Sequence, residues 1–405
     1  MRLQSLLLGL AIWLASISAG KAQAASEEVI NAGSIGLRGG YDTNPTDTTG
    51  ARGSLFVTQT ASYDYLRGSL TGDGLGLKIN VSNTVYDPSV AAASTNAVIA
   101  ATKAIQLAPS LNLRTTLMTT VDDNWARRFQ SLQWRNRIEY DNSNFRVFAN
   151  LDTGLSALNE RDIFTLSSFL PEDENFVTMT AMPGFAYKFE GGEVGTSVVL
   201  SRVDYLALDI FGLDRSHNVV QPNVFFNAKV SGAEFEGSLS PYVATYDTAD
   251  FDTVRQLLYT AKLRYPSGPW TFGLGSARTV QDTTLPFVSL DVALAHEASV
   301  SYKFDDHNAI SLLARYRRDD FLGVPDLWST TYLAGIDYAH DFGDGLLGTA
   351  GLSARQVTRP GDVEPLAFNV QIGLQKKLDF GNSPKPAPDK PLDIKPLDIR
   401  PPARS

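Results

Sequence analysis

Residues 75–85 read LGLKINVSNTV, and this stretch decides the fold. Its leucine, isoleucine and valine residues all occupy odd positions, and every even position is glycine or a polar residue. A period of two places side chains alternately on the two faces of a β-strand. The alternation recurs in LNLRTTLMTTV (111–121), LQWRNRIEY (132–140) and AISLLARYRR (309–318), whereas no window has a clear helical period. The sequence therefore predicts an all-β protein.

The links between the alternating segments support a more specific fold. We count about eighteen segments, with sixteen as the alternative, and short links alternate with long ones. Short periplasmic turns and long extracellular loops are typical of outer-membrane barrels. Segments of about 9–11 residues or more are long enough to cross a bilayer at a tilt. A propeller would show a repeat near forty residues, and none is present. We therefore predict a transmembrane antiparallel up-and-down β-barrel.

Composition excludes several classes of protein. A hydrophobic fraction of 43% is too high for a disordered chain. The absence of cysteine excludes disulfides and thiolate metal sites. The four histidines show no metal-ligand spacing, so we expect no metal and no cofactor. No internal stretch approaches twenty apolar residues, which excludes membrane-spanning helices.

Three segments divide the chain. Residues 1–24 have the basic start, apolar centre and Ala-Gln-Ala end of a signal peptide; a short membrane anchor is the alternative. Residues 25–380 form the predicted barrel, with outer-membrane lipid as its surroundings and both termini in the periplasm. Residues 381–405 form a Pro-rich disordered periplasmic tail with a repeated KPLDI, either a plain tail or a tether to an export or cell-wall partner. The oligomeric state stays open.

The inner face of the predicted barrel is rich in basic residues. By the alternation, these inward basic residues are Lys78, Arg114, Arg135, Arg137, Arg146, Lys188, Lys229, Lys262, Arg264, Lys303, Arg315 and Arg317. The inward acids are fewer, namely Glu139, Asp152, Glu234, Glu236, Glu297 and Asp337. Rings of arginine and lysine are how pores favour anions. The alternative is that these groups pair with the acids and only support the wall.

Two apolar loops are candidates for a constriction. The segment 153–175 is the longest predicted loop, and 204–217 is the second. Exposed apolar loops need burial, so we expect the first to fold into the barrel or to pack over its mouth.

One motif adds a family resemblance. Gly40-Tyr41-Asp42-Thr43-Asn44-Pro45 ends the first strand, and a Gly/Ser break leads into the second. This segment resembles the start of the β-barrel porin 2 family. The resemblance implies a barrel of this size over most of the chain and an association with exopolysaccharide secretion. It implies no catalytic residues, and the Pro-rich tail departs from the family's usual ending.

The sequence leaves several functions open. The first is a porin-like channel, as a conduit for polysaccharide or other anionic solutes, or as a general diffusion porin. The second is an outer-membrane anchor whose tail acts as the tether. The third is a hydrolase, for which His217 near Asp214 and Ser216 is the candidate, but a loop histidine is usually only solvated, so we expect no enzyme. An acidic chain is also not expected to bind nucleic acid.

Overall fold

A computed structural model describes residues 29–380 except 49, 166, 167 and 171. The predicted signal peptide and the predicted tail therefore lie outside the described residues. The strands are β1 (Val29–Asp42), β2 (Ser54–Gly68), β3 (Gly74–Tyr86), β4 (Ser94–Ala108), β5 (Leu111–Asp123), β6 (Arg127–Asp141), β7 (Phe145–Glu160), β8 (Glu174–Phe189), β9 (Gly192–Tyr205), β10 (His217–Val230), β11 (Ala233–Tyr246), β12 (Val254–Ser267), β13 (Trp270–Gln281), β14 (Asp291–Lys303), β15 (Asn308–Phe321), β16 (Trp328–Asp341), β17 (Leu346–Arg359), β18 (Asp362–Val363) and β19 (Ala367–Asp379). Within this described part, no helix is long and apolar enough to cross a membrane.

The strands form one closed antiparallel barrel. Each long strand pairs with its neighbours in the chain, and β1 pairs both with β2 and with the last strand, β19. The two-residue β18 pairs only with the end of β17, so eighteen strands make up the wall. This confirms the predicted all-β, up-and-down barrel of about eighteen strands.

The two ends of the barrel differ in the length of their links. We call one the turn end, where links of two to five residues join the strands, and the other the loop end. Ser231 and Gly232 both have positive φ, as a two-residue turn between twisted strands requires. Two predicted long loops are shorter than expected: 122–130 is reduced to 124–126, and 153–175 to 161–173. Their flanking strands continue beyond the length that crosses a bilayer, so residues of alternating character extend past the membrane.

The outer face of the wall is apolar. Leu55, Leu151 and Ile372 are 73%, 60% and 68% exposed, and they share one face with other exposed aliphatic side chains. Exposed aromatic residues gather at the turn end of this face, among them Phe185, Tyr187, Phe189, Tyr265, Trp270, Phe272, Phe304, Tyr338, Phe342 and Phe380. An apolar band bordered by an aromatic girdle is the surface that a membrane-spanning barrel presents to lipid.

Candidate functional site in the lumen

The strand pairing decides which side chains face the lumen. Directly opposite residues of an antiparallel pair share a face. Lys78 lies opposite Asp64 and Ala100, between neighbours whose apolar side chains face outward. The same register places all twelve basic residues of the sequence analysis on the face opposite the exposed apolar residues. That they favour anions remains a prediction.

Eight of the twelve form ion pairs with carboxylates, so the pairing alternative holds for these. Arg315 lies 2.5 Å from Glu297, Arg317 2.7 Å from Asp319, and Lys229 3.2 Å from Glu234. The other paired residues are Arg137, Arg146, Lys188, Arg264 and Lys303.

Four of the acidic partners were missed by the sequence analysis, namely Asp141, Glu193, Asp306 and Asp319. Glu193 lies 2.5 Å from Arg146, and Asp141 binds Lys188. Both acids sit beside turn motifs, EGGE and DNSN, which the alternation assigned to links and not to the wall. The structure places both in strands, at the turn end of β9 and of β6. Extending each predicted strand by one residue into the adjoining turn motif would have placed Asp141 and Glu193 in the wall.

The inner face of β5–β7 keeps unpaired positive charge. Within the described part of the chain, four of the twelve lie beyond ion-pair distance of a carboxylate, namely Lys78, Arg114, Arg135 and Lys262. Three of these still lie directly opposite an acid on a neighbouring strand, namely Lys78 opposite Asp64, Arg135 opposite Asp152 and Lys262 opposite Glu236. Arg114 on β5 has no acid opposite it among the described residues. Arg114 lies directly opposite Arg137 on the neighbouring strand. Like charges directly opposite each other destabilise a sheet. We call Arg114, Arg135, Arg137 and Arg146 the basic wall.

Aromatic rings hold the basic wall in place. The guanidinium carbons of Arg137 and Arg146 lie 4.5 and 5.2 Å from the centre of the Phe148 ring, within the range of cation–π contacts. Phe148 is buried and packs 6.2 Å from Phe225. Gly184 makes this possible, because a Cβ atom there would come 2.3 Å from the Phe148 ring. The buried Phe148 ring thus holds the guanidinium groups of Arg137 and Arg146 in position on the lumen face.

At the loop end, residues 282–290 leave the wall and cross the opening. We call this segment the mouth loop. It connects β13 to β14, yet Thr283 donates a 2.6 Å hydrogen bond to the carboxylate of Glu160 at the end of β7. The backbone N–H of Thr284 donates a second bond to the same carboxylate, 2.9 Å long. Because five strands separate β7 from β13 in the wall, the mouth loop must span the interior to make these bonds.

Arg215, which lies two residues before β10, also holds the mouth loop in place. Its guanidinium is 3% exposed and donates to the backbone carbonyls of Thr283 at 3.0 Å, Leu285 at 2.9 Å and Val288 at 2.6 Å. Val288 is completely buried. A buried arginine that satisfies three loop carbonyls fixes the loop conformation, because those carbonyls would otherwise lose their hydrogen bonds.

The two loops predicted to constrict the barrel only support the mouth loop. Ile163 of the first packs with Leu285 and Val288, and Phe211 of the second stacks 5.2 Å from Phe287. Of the two alternatives expected for 153–175, the contacts of Ile163 agree with packing over the mouth. The apolar run Leu285–Leu290, interrupted only by Pro286 and Ser289, is the sequence signal that could have identified the mouth loop.

A polar cavity of about 400 Å³ adjoins the mouth loop inside the barrel. Hydroxyl and amide groups dominate its lining, with Thr180, Ser201, Gln221 and Thr260 among them. Next to it, His217 begins β10 and is 2% exposed, so it is not the solvated loop histidine that the sequence suggested. Its Nδ1 lies 2.8 Å from the carbonyl oxygen of Arg215, and its Nε2 lies 3.8 Å from Asp282.

The loops around the mouth carry stable negative charge. Hydrogen bonds from the backbone N–H and the hydroxyl of Ser89 hold the pKa of Asp87 below its ordinary value. The side chain of Arg202 donates a 2.7 Å hydrogen bond to Asp247 and lowers the pKa of that carboxyl as well. Both groups therefore remain ionised well below neutral pH.

A serine lies near a histidine at two places in the barrel. Ser216 accepts a hydrogen bond from the backbone of Tyr205, not from His217. Ser276 and His296 do form a 2.9 Å pair, on the outer face. Among the described residues, however, no carboxylate or amide contacts Nε2 of His296 to orient it, as a catalytic base requires. No group of three metal-ligating side chains occurs within the described ranges either.

No family model matches the sequence, and no curated protein matches it. Several solved structures are similar in fold. OccK2 (OpdF) from Pseudomonas aeruginosa is 10% identical over 88% of this chain and 100% of that one, with a TM-score of 0.49. A BenF-like porin from Pseudomonas fluorescens is 12% identical over 88% and 100%, with a TM-score of 0.48. The FrpB iron transporter from Neisseria meningitidis is 11% identical over 81% of this chain, with a TM-score of 0.45, and this chain spans 62% of its length. Likenesses of this degree carry no information on function.

Proposed function

We propose that the protein is an outer-membrane channel for anionic solutes, with both termini on the periplasmic side. The observation that carries this proposal is the direct opposition of Arg114 and Arg137 on the lumen face. Like charges directly opposite each other destabilise a sheet. Glu139 pairs with Arg137, so Arg114 is the member of the pair without a carboxylate partner. A passing carboxylate, phosphate or chloride supplies a counter-charge to Arg114, and planar guanidinium groups bind carboxylate and phosphate well.

The size of the barrel supports passage. Barrels of about 16–18 strands are too wide for their own side chains to fill and leave an aqueous channel. The mouth loop narrows this channel at the loop end and leaves the basic wall exposed towards the turn end. The unpaired groups Arg114 and Arg135 thus lie where a solute passes after the constriction.

Two versions of the channel make different demands on the mouth loop. The resemblance of Gly40–Pro45 to the β-barrel porin 2 family favours a conduit for an acidic polysaccharide. In the structure this segment is an Asx turn, in which the N–H of Asn44 donates a 2.9 Å hydrogen bond to Asp42. The clamped mouth loop instead favours small solutes, as in a diffusion porin, because a polymer passes only if that loop moves.

The test is the reversal potential of the purified protein in a planar bilayer across a KCl gradient. We expect the wild type to prefer chloride, and Arg114→Ala/Arg135→Ala to reduce the chloride-to-potassium permeability ratio by about twofold or more. Lys103→Ala is the matched control, because Lys103 pairs with Thr115 beside Arg114 but faces outward. A pore whose selectivity is the same in all three proteins would falsify the basic-wall proposal.

The segments outside the described residues add two further proposals. Residues 1–24 act as a signal peptide that directs export. Mass spectrometry of the protein purified from membranes tests this proposal, because the mature chain should then begin after residue 24. Residues 381–405 tether the barrel to a periplasmic export or cell-wall partner. Deleting them is expected to leave the conductance unchanged and to weaken the envelope; a loss of conductance would instead make the tail part of the channel.

A further inference from the structure

The outer wall of β12–β17 contains a groove of about 830 Å³. The cross-strand register arranges the outward side chains here in three parallel rows, of which the first two line the groove and the third lies beyond it towards the loop end. We call them the alanine row, the hydroxyl row and the arginine row, in order from the turn end towards the loop end. Together they form a gradient from apolar to cationic across the lipid-facing surface.

The alanine row is the floor of the groove. Its members are direct cross-strand neighbours, running from Leu274 through Ala298, Ala314 and Ala334 to Ala354. Because the side chain of alanine is short, four successive alanines form a depression in the outer surface. The larger side chains of Phe226, Phe235 and Leu263 project beside it. A channel with an alanine floor and apolar sides fits an extended hydrocarbon chain.

The hydroxyl row lies two residues further along each strand. It contains Ser276, His296, Tyr316 and Tyr332, again direct cross-strand neighbours. Ser276 Oγ lies 2.9 Å from His296 Nδ1, and the rings of Tyr316 and Tyr332 pack 5.3 Å apart. Polar groups on a lipid-facing surface are costly in hydrocarbon unless they find hydrogen-bond partners. Ester or hydroxyl oxygens of a lipid supply such partners.

The arginine row completes the gradient. Arg278 and Arg318 face outward on either side of Leu294, so they are two strand spacings, or ~10 Å, apart. The guanidinium of Arg318 lies 5.0 Å above the Trp328 ring, its Nε is 2.9 Å from Asp320, and the side chain is 39% exposed. Arg278 donates a 2.6 Å hydrogen bond to Gln256. Each guanidinium retains donors for an external anion.

The depth of the arginine row matches a lipid headgroup. Arg278 is eight residues along β13 from Trp270 in the aromatic girdle. At ~3.3 Å per residue and a tilt of ~45°, it stands ~19 Å above the girdle, near the far edge of an apolar band about 25 Å tall. Arginine is tolerated on the outer face at this depth, because the headgroups hydrate and neutralise it.

We propose that this groove binds one phosphate-bearing lipid of the surrounding membrane. An acyl chain lies along the alanine row, its ester oxygens meet the hydroxyl row, and the phosphate lies between Arg278 and Arg318. Asp320 balances the charge of Arg318, whereas the partner of Arg278, Gln256, is neutral, so the arginine row keeps a net positive charge that favours an anionic lipid over a zwitterionic lipid. The two arginines also argue against a second copy of this chain, because the copy would bring the same arginines to the contact.

The test uses the full chain in nanodiscs of equal parts phosphatidylglycerol and phosphatidylcholine, with native mass spectrometry of the lipids that stay bound. We expect the wild type to retain phosphatidylglycerol over phosphatidylcholine by about fivefold or more, given the usual contribution of surface cations to anionic lipid binding. Arg278→Gln/Arg318→Gln should bring this ratio close to one. Lys103→Gln/Lys376→Gln is the control and should keep the preference, since both lysines face outward near the turn end.

A second variant separates the groove from its charge. Ala314→Trp fills the floor and leaves both arginines in place, so the retained lipid should be lost even though the cations remain. Heat-dependent mobility on gels shows whether each variant is folded. Equal retention of the two lipids by the wild type, an unchanged preference in the double arginine variant, or a protein dimer in place of the lipid would each overturn the proposal.

Discussion

The basic wall and the mouth loop use the same residue types for opposite purposes. In the basic wall, Arg137 and Glu139 keep 22% and 17% of their side chains exposed, so water and solutes reach them. At the mouth, Arg215 and Glu160 are 3% and 4% exposed and bind only protein groups. Charge next to water is available to a solute, whereas charge removed from water needs fixed partners and therefore fixes structure.

The energies of the two regions differ accordingly. Removing one partner of a buried ion pair typically costs ~3–5 kcal/mol, because the other charge is left without compensation. An exposed pair contributes only about 0–1 kcal/mol. Substitutions at the mouth should therefore change the structure and the conductance, and those at the basic wall should change selectivity alone.

The largest expected effect is that of Arg215→Met. This variant removes the three hydrogen bonds to the mouth loop and leaves Asp209 and Glu174, each 3.4 Å from Arg215, without their cation. A local loss of ~3 kcal/mol shifts the ratio of open to clamped loop about 100-fold. We expect a larger and noisier single-channel conductance and a lower urea midpoint of unfolding.

Arg202→Met is the control for that experiment. Arg202 also lies at the loop end and also binds two carboxylates, Asp204 and Asp247, but its side chain is 30% exposed on the outer face. It should leave the conductance unchanged. If both variants conduct alike, the mouth loop does not limit the current.

A smaller effect is expected for Arg315→Ala. Arg315 faces the lumen like Arg114, but Glu297 neutralises it at 2.5 Å. Removing Arg315 also frees an acid, so the lumen loses one positive charge and exposes one negative charge at the same place. Arg315→Ala/Glu297→Ala should restore the wild-type reversal potential, whereas Arg114→Ala/Glu297→Ala should not, because Arg114 has no partner in Glu297. Equal rescue of both single variants by Glu297→Ala would mean that pairing does not distinguish these arginines.

The smallest effect concerns pH. Hydrogen bonds from Ser89 lower the pKa of Asp87 at the loop end. Hydrogen bonds, chiefly from the Asn308 side chain, lower the pKa of Asp305 at the turn end. A lowered pKa keeps an acid charged as the pH falls through the ordinary value, and the charge is lost only when the pH reaches the lowered pKa. Both rims should therefore stay anionic at pH 5. Ser89→Ala should raise the pKa of Asp87 alone in an NMR titration, and an equal rise at Asp305 would contradict a local cause.

The sequence was most informative where the chain is regular. The period of two in 75–85, 111–121 and 309–318 predicted the strands, their number and the face on which Arg114 or Arg315 lies. It was least informative at strand ends. The strands β6 and β9 include Asp141 and Glu193 beside turn motifs, and β7 extends to Glu160 through a segment predicted as loop.

The sequence alone determined the barrel and the two faces of its wall, because alternation is local and each strand repeats it. Only the tertiary structure decided which arginines are neutralised, which loop closes the mouth and which outer residues form a groove. The bonds between Glu160 and Thr284 join residues 124 positions apart. The arginine row joins β13 to β15 through register. Such contacts depend on barrel closure and strand register, which no single strand encodes.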